Sequence, residues 1–118
     1  MPGFPRAARM LHASEYAATL RTRPVARGSF LVVNHQRAEN ILHARLGLII
    51  PKRFLKRAVS RNAVKRVLRE LFRVNQDSLP AGNYAVRLHK SIKPLSLTAL
   101  KALVHEEGEI LFKRMKSQ

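Results

Sequence analysis

The amino-acid sequence predicts a single α+β domain with its elements in the order α-β-β-α-β-α. Its 118 residues suit one domain with one modest core. Hydrophobic residues make up 46% of the chain, which is too many for a disordered basic protein. The spacing of these residues changes along the chain between a period of two and a period of about 3.6. This pattern favours a mixed sheet packed by helices.

The first helix is predicted close to the N-terminus. Residues 1–12 contain prolines and a glycine, and we expect them to form a flexible basic arm ahead of a folded domain that spans residues 13–118. Ser14 can cap a helix that reaches about Arg21. That helix stops before Pro24, because the residue before a proline disfavours helical geometry.

Three segments predict strands. Residues 28–33 are rich in strand-forming side chains, and residues 45–51 alternate in the period of a strand. Residues 34–43 form a polar connection between them. The third strand, at residues 84–89, follows a turn at residues 79–83. We expect the strands on either side of the second helix to pair through a crossover connection.

Two longer helices are predicted from apolar residues at helical spacing. The first begins between Arg57 and Ser60 and ends at about Asn75, and the second follows Pro94, with Ser96 as its N-cap. The apolar residues of the first are Val64, Val67, Leu68 and Leu71, and those of the second are Leu97, Leu100, Leu103, Val104, Ile110 and Leu111.

The charge of the chain indicates a polyanionic partner. There are 23 lysines and arginines against 7 acids, so the net charge is +16. Such a charge favours nucleic acid, with an anionic membrane surface as the lesser alternative. The side of the second helix opposite its apolar residues gathers donors for phosphate groups with a single acid, Glu70, nearby. We call this side the basic face; it consists of Asn62, Lys65, Arg66, Arg69 and Arg73.

The composition excludes several other functions. The chain has no cysteine, which excludes disulfides, thiolate zinc sites and cysteine nucleophiles and suits a reducing compartment. No apolar run approaches the length of a membrane span, so we expect a cytoplasmic protein. No metal-binding histidine motif and no phosphate-binding glycine loop occurs. We therefore expect neither catalytic residues nor a metal site on the protein.

Aromatic side chains are the remaining candidates for contacts with unpaired bases. The chain has two tyrosines and five phenylalanines. Tyr16 and Phe30 are the best candidates for partial exposure, since each lies on an element whose other face can be buried. Packing in the core is the competing interpretation for both.

The second helix carries a motif that resembles the RNR motif of the bacterial ribonuclease P protein family. The similarity extends over nearly the whole chain, including residues 14–20, 30–32, 45–53 and 79–87. The motif itself reads Ala58-x-x-Arg61-Asn62-Ala63-Val64-Lys65-Arg66-x-Leu68-Arg69.

The resemblance implies a small basic protein that joins a large catalytic RNA. That RNA removes the 5′ leader of precursor tRNA by hydrolysis, with Mg²⁺ held mainly by the RNA and none bound firmly by the protein. The protein is then expected to be a monomer within the complex, with no membrane partner. The resemblance also implies that the crossover is left-handed, against the usual right-handed rule.

The resemblance implies roles for particular residues. A cleft for the single-stranded leader lies between the first helix and the sheet, and we assign Tyr16 and Phe30 to it. Three departures from the family pattern matter: Ala63 replaces a basic residue, and Leu20 and Val33 stand where aromatic residues are frequent, so the cleft is expected to be less aromatic. The expected RNA contacts are Arg61, Asn62, Lys65, Arg66 and Arg69, with Arg45, Lys52 and Arg53 nearby and Arg73 added from the basic face.

Two other functions compete with this one. A ribosomal or ribosome-assembly protein would share the charge and the α+β build. A DNA-binding protein could read the major groove with Asn62 and Arg66, but a strand that ends at Pro51 stands where a helix-turn-helix needs its first helix.

Overall fold

A four-stranded mixed sheet divides the protein into two unequal layers. The computed structural model describes residues 13–37 and 39–116, so the arm expected at residues 1–12 lies outside the described part. The sheet has the order β1-β2-β4-β3, in which only the β3–β4 pair is parallel. The helices are α1 (Ala13–Leu20), α2 (Ala58–Asn75) and α3 (Leu97–Lys116), and the strands are β1 (Pro24–Arg27), β2 (Leu31–Gln36), β3 (Ala44–Ile49) and β4 (Gly82–Leu88).

The α+β class is confirmed, but the predicted order lacks one strand. The observed order is α-β-β-β-α-β-α, because β1 forms a hairpin with β2 ahead of the first predicted strand. A four-residue strand that begins with Pro24 gives little sequence signal, and proline is tolerated at the start of an edge strand. β2 also continues to Gln36, into the predicted polar connection, because Asn34 and Gln36 face α1 while His35 between them stacks on Tyr84.

The crossover predicted over the second helix is confirmed. β3 and β4 pair in parallel, with Leu46 opposite Tyr84 and Leu48 opposite Val86. α2 connects them, and its bounds lie within the predicted range. The left hand of the crossover, which rests on the family resemblance, stays a prediction.

The main core lies between the sheet and the helices α2 and α3. Phe72 of α2 packs edge-on against Tyr84 of β4 and Phe112 of α3, with both ring centroids 6.2 Å away. Burial raises the pKa of Tyr84 to about 12. At Gly108 a Cβ atom would lie 2.6 Å from Cδ1 of Leu71, so glycine permits the close approach of α3 to α2. This packing fixes which face of α2 is left to solvent.

A single carboxylate ties the β1–β2 turn to the middle of α3. Glu107 accepts hydrogen bonds from the backbone N–H groups of Ser29 (2.8 Å), Phe30 (3.0 Å) and Leu31 (2.7 Å). A Cβ atom on Gly28 would lie 2.5 Å from Cδ of Glu107, so the turn is pressed closely against the carboxylate. The hairpin is thereby held to α3 by three charge-assisted bonds.

Replacing Glu107 with glutamine should destabilise the protein. One amide oxygen replaces two charged oxygens, so at least one of the three N–H donors loses its acceptor. We expect the free energy of unfolding to fall by about 1–3 kcal/mol, measured by denaturant titration. Glu106→Gln makes the same charge change on an exposed neighbour and should stay within about 0.5 kcal/mol of the parent. Equal effects of the two variants would contradict the assigned role.

Candidate nucleic-acid interface

The basic face of α2 is presented to solvent as the sequence predicts. Val64 and Leu68 are fully buried on the core side, while Asn62, Arg66 and Arg69 are exposed on the other side. Lys65 is half-buried, as is Val67, which was predicted to lie in the core. The helix therefore anchors itself with one side and offers cationic donors on the other.

The guanidinium group of Arg61, the first residue of the RNR motif, makes two hydrogen bonds within the protein. Its Nη1 donates to the carbonyl oxygens of Leu55 (3.0 Å) and Lys56 (2.7 Å). These bonds join the first turns of α2 to the loop that leads into it. The same loop carries the exposed Lys52 and Arg53, so Arg61 helps to position two other predicted contacts.

Two of the predicted RNA contacts are ion-paired. Arg73 donates from Nε to Oε2 of Glu70 at 3.0 Å; this hydrogen bonding lowers the pKa of Glu70 and raises that of Arg73. Arg45 on β3 donates to both carboxylate oxygens of Glu15 on α1, at 2.7 and 3.1 Å. The positive charge of the interface is consequently concentrated towards the N-terminal half of α2.

Helix α3 adds a cation that the sequence analysis missed. Lys101 is exposed and lines a shallow depression of about 400 Å³ with residues of the basic face. Ala63, which replaces a basic residue of the family motif, lies in the same depression. Only the tertiary packing of α3 on α2 brings Lys101 there. The residues lining the depression are Val59, Asn62, Ala63, Arg66, Arg69, Leu97 and Lys101.

Helix α1 covers part of the other face of the sheet. Thr19 contacts Oε1 of Gln36 at 3.4 Å, and Nδ2 of Asn34 donates to the carbonyl oxygen of Thr22 at 2.7 Å. Strand alternation places the small residues Gly47 and Ala85 beside Asn34 on this face. The result is a polar layer between α1 and the sheet.

Tyr16 lies on this side of the molecule and is half-buried. It precedes the fully buried Thr19 by three residues, so both side chains point from the same side of α1 towards the sheet. Leu20, where the family often has an aromatic residue, is 37% exposed. The Oδ1 atoms of Asn34 and Asn83 are buried with no hydrogen-bond partner among the described residues. On this side of the molecule the ring of Tyr16 is partly accessible, whereas the two asparagine oxygens are buried.

Phe30 and Val33 do not lie with Tyr16, which corrects the expected composition of the cleft. Phe30 lines a cavity of about 340 Å³ with Leu103 and Ile110 of α3, and no described residue of α1 lines it. Val33 is fully buried in the core cluster beneath α2 and α3. Alternation along β2 explains why Val33 faces the core, since its neighbours Val32 and Asn34 point to the opposite face.

Four of the carboxylates within the described ranges make structural contacts. Glu15, Glu70 and Glu107 hold Arg45, Arg73 and the β1–β2 turn, and Glu109 lies 2.9 Å from Nδ1 of His105. Across residues 13–37 and 39–116, no group of three or more histidines, aspartates and glutamates could hold a metal ion. Those residues also include no helix long and apolar enough to cross a membrane.

A model of the ribonuclease P protein family, described as "Ribonuclease P", matches residues 4–116. The chain belongs to this family. The ribonuclease P protein component of Bordetella parapertussis is 46% identical over 116 residues, which covers 95% of this chain and 94% of that protein. The component of Paraburkholderia xenovorans is 37% identical over 92% of this chain and 80% of its own length.

Solved structures of ribonuclease P proteins share the fold. The Staphylococcus aureus protein superimposes with a TM-score of 0.77 at 23% identity, over 92% of this chain and 94% of that one. The Thermotoga maritima protein gives a TM-score of 0.67 at 22% identity, over 90% of this chain and 96% of that one. At this level of identity the likeness concerns architecture alone.

In this ribonuclease P family member, Arg61→Ala and Arg66→Ala should have different effects on the stability of the free protein. Loss of both bonds from Arg61 should speed amide hydrogen exchange at residues 52–57 and cost about 1–2 kcal/mol of unfolding free energy. Arg66 is exposed, so its variant should stay within about 0.5 kcal/mol of the parent. Unchanged exchange in the Arg61→Ala loop would show that these bonds do not hold it.

Proposed function

We propose that this protein is the RNA-binding subunit of ribonuclease P. It assists a catalytic RNA in the endonucleolytic removal of the 5′ leader from precursor tRNA. The observation that carries the proposal is the family match over residues 4–116 in a chain whose RNR-like helix exposes cations opposite a buried apolar face. The net charge of +16 supports a polyanionic partner.

The catalytic RNA would bind to the basic face of α2. Arg66, Arg69 and Asn62 are exposed there, and Lys101 of α3 widens the surface. Guanidinium groups bind phosphates in a bidentate manner, and each contact releases counterions from the RNA. Affinity would then come mainly from the RNA backbone and little from its sequence.

The leader would lie in a groove between α1 and the sheet, on the opposite face from α2. Tyr16 can stack on an unpaired base, since every base has a π-face. Because Arg45 is paired with Glu15, this groove relies less on charge than the basic face does.

The hydrolysis itself would be performed by the RNA, with Mg²⁺ held mainly by RNA ligands. Four of the described carboxylates are engaged in ion pairs or backbone contacts, which supports a protein that binds and positions RNA. The complex would contain one copy of the protein and would act in the cytoplasm.

Reconstitution tests this division of labour. The purified protein alone should leave precursor tRNA intact, because the RNA supplies the reaction centre. With a catalytic ribonuclease P RNA and Mg²⁺ at moderate salt, it should restore cleavage at the mature 5′ end, read on a denaturing gel. Site-specific cleavage by protein that is rigorously free of RNA would contradict the proposal.

Binding to the catalytic RNA should depend steeply on salt. The logarithm of affinity should fall linearly with the logarithm of salt concentration, by about 0.7 to 0.9 per phosphate contacted. Arg66→Ala or Arg69→Ala should each flatten this slope by about one unit without changing the unfolding transition. Arg27→Ala is the control: it removes an exposed arginine from β1, the edge strand at the other end of the sheet from β3, and it should leave the slope unchanged. A loss of cooperative unfolding in either α2 variant would identify that residue as structural.

Tyr16→Ala should weaken binding of precursor tRNA to the reconstituted complex by about 1–3 kcal/mol, the cost of losing one stacked base. Mature tRNA has no leader, so its affinity should hardly change. A residue used only for packing would instead cost about 3–5 kcal/mol of unfolding free energy and weaken both RNAs equally. Parallel measurements of the two affinities and the melting temperature separate these outcomes.

A further inference from the structure

A cavity of about 420 Å³ lies where the N-terminus of α2 meets the loop before α3. One side is formed by residues 53–57 and Ser60, and the other by residues 91–95 and Leu100. We call it the α2 cavity. Apart from Arg53, none of these residues was assigned an RNA contact above.

The rim of the α2 cavity is positive, and no acid compensates it. Residues 40–69 and 78–105, which supply all of the lining, contain no aspartate or glutamate. The N-cap residue of α2 is itself a cation, and the first turn of the helix has no acid and no side-chain cap. Cations at this end oppose the helix dipole, so a bound anion would relieve an unfavourable arrangement. The cations of the rim are Arg53, Lys56, Arg57 and Lys93.

The hydroxyl group of a buried residue lines the same cavity. Ser60 is only 7% exposed, and it lies in the first turn of α2 among the lining residues. Its hydroxyl oxygen remains accessible at the cavity, since the buried side-chain atoms without a partner among the described residues are Oδ1 of Asn34 and Oδ1 of Asn83. A ligand in the cavity can therefore accept a hydrogen bond from this hydroxyl.

The remaining wall of the α2 cavity is apolar. Ile92 and Leu100 are buried, and Phe54 and Leu55 pack against the same core. A small inorganic anion would use the cationic rim and leave this wall uncovered. The size of the cavity falls within the range of about 300–1,000 Å³ that is usual for organic ligands.

We propose that the α2 cavity receives one unstacked nucleotide of an RNA strand. Its phosphate lies against the N-terminus of α2, where Ser60 and the rim cations donate to it, and its base rests on the apolar wall of Phe54 and Ile92. Proteins recognise single-stranded RNA in this way, with bases splayed out onto apolar or aromatic side chains. The inference rests on the proposed RNA-binding function and adds a second kind of contact to the phosphate contacts of the basic face.

Separate titrations of the protein with AMP, inorganic phosphate and adenosine test the proposal by NMR. AMP should move the backbone amide resonances of residues 58–60 and of Ser91 and Ile92 saturably, and with a lower Kd than either fragment. A single-stranded RNA trinucleotide should bind at least as tightly as AMP. Equal Kd values for AMP and phosphate, or no shifts at these amides, would overturn the proposal. Weaker binding of the trinucleotide than of AMP would overturn the assignment to an RNA strand.

Variants locate the binding and guard against misfolding. Lys93→Ala removes an exposed cation of the rim and should raise the Kd for AMP about two- to fivefold. Ser60→Ala should raise it about three- to tenfold, and its thermal unfolding is measured beside it because the residue is buried. Lys113→Ala, on α3 about 20 Å beyond Leu100, should leave the Kd unchanged. If Lys93→Ala also has no effect, the inference fails whatever Ser60→Ala does.

The reconstituted cleavage reaction separates this inference from the proposed function. If the parent protein supports cleavage of precursor tRNA with its RNA but does not bind AMP, only the proposed role of the α2 cavity is contradicted. The opposite result is a protein that binds AMP but neither binds the catalytic RNA nor supports cleavage. It would support the α2 cavity as a nucleotide site and contradict the proposed ribonuclease P function.

Discussion

The burial of one side of α2 decides where the charge of this protein lies. Val64, Leu68 and Phe72 are fully buried against the sheet and α3, and burial of large apolar side chains contributes about 1.5–3 kcal/mol each. The helix cannot rotate without exposing them. Its cations are therefore held on the outer side, although they repel one another in the free protein. Apolar packing thus maintains an electrostatic surface that would not assemble by itself.

Strand alternation separates the two RNA-binding surfaces that we propose. On β2 and β4, one set of side chains joins the core beneath α2 and α3, and the set between them faces α1. The first set is apolar except for His35, whereas the second includes Asn34, Asn83 and Arg87. A shift of one residue in register would exchange the sets and bury the polar groups in the core. The pairing of the sheet therefore determines both the core and the two surfaces that we propose.

Much of the fold could be predicted from the sequence, because its long periodic segments carry strong signals. The bounds of α2 and its buried and exposed sides follow from the spacing of four apolar residues. The missed strand β1 is short and begins with Pro24, and the polar end of β2 resembles a loop until α1 is placed over it. Residues of the proposed surfaces such as Lys101 and Ser60 can be identified only when α3 and the loop before it are placed close to α2. The use of Glu15 and Glu107 as clamps depends on the same long-range contacts.

The position of β4 also affects how the chain can fold as it is synthesised. β4 is the last strand in the sequence, yet it lies between β2 and β3 and pairs with both. Before it leaves the ribosome, the described part of the chain has only the β1–β2 hairpin as a paired sheet, and an isolated hairpin is marginally stable in water. β2 and β3 therefore cannot be joined into one sheet until β4 is available. Until then, α2 has no complete sheet on which to bury its apolar side. Assembly is thus concentrated in the last quarter of translation, and a nascent chain that stops before Gly82 exposes both its core residues and its cations.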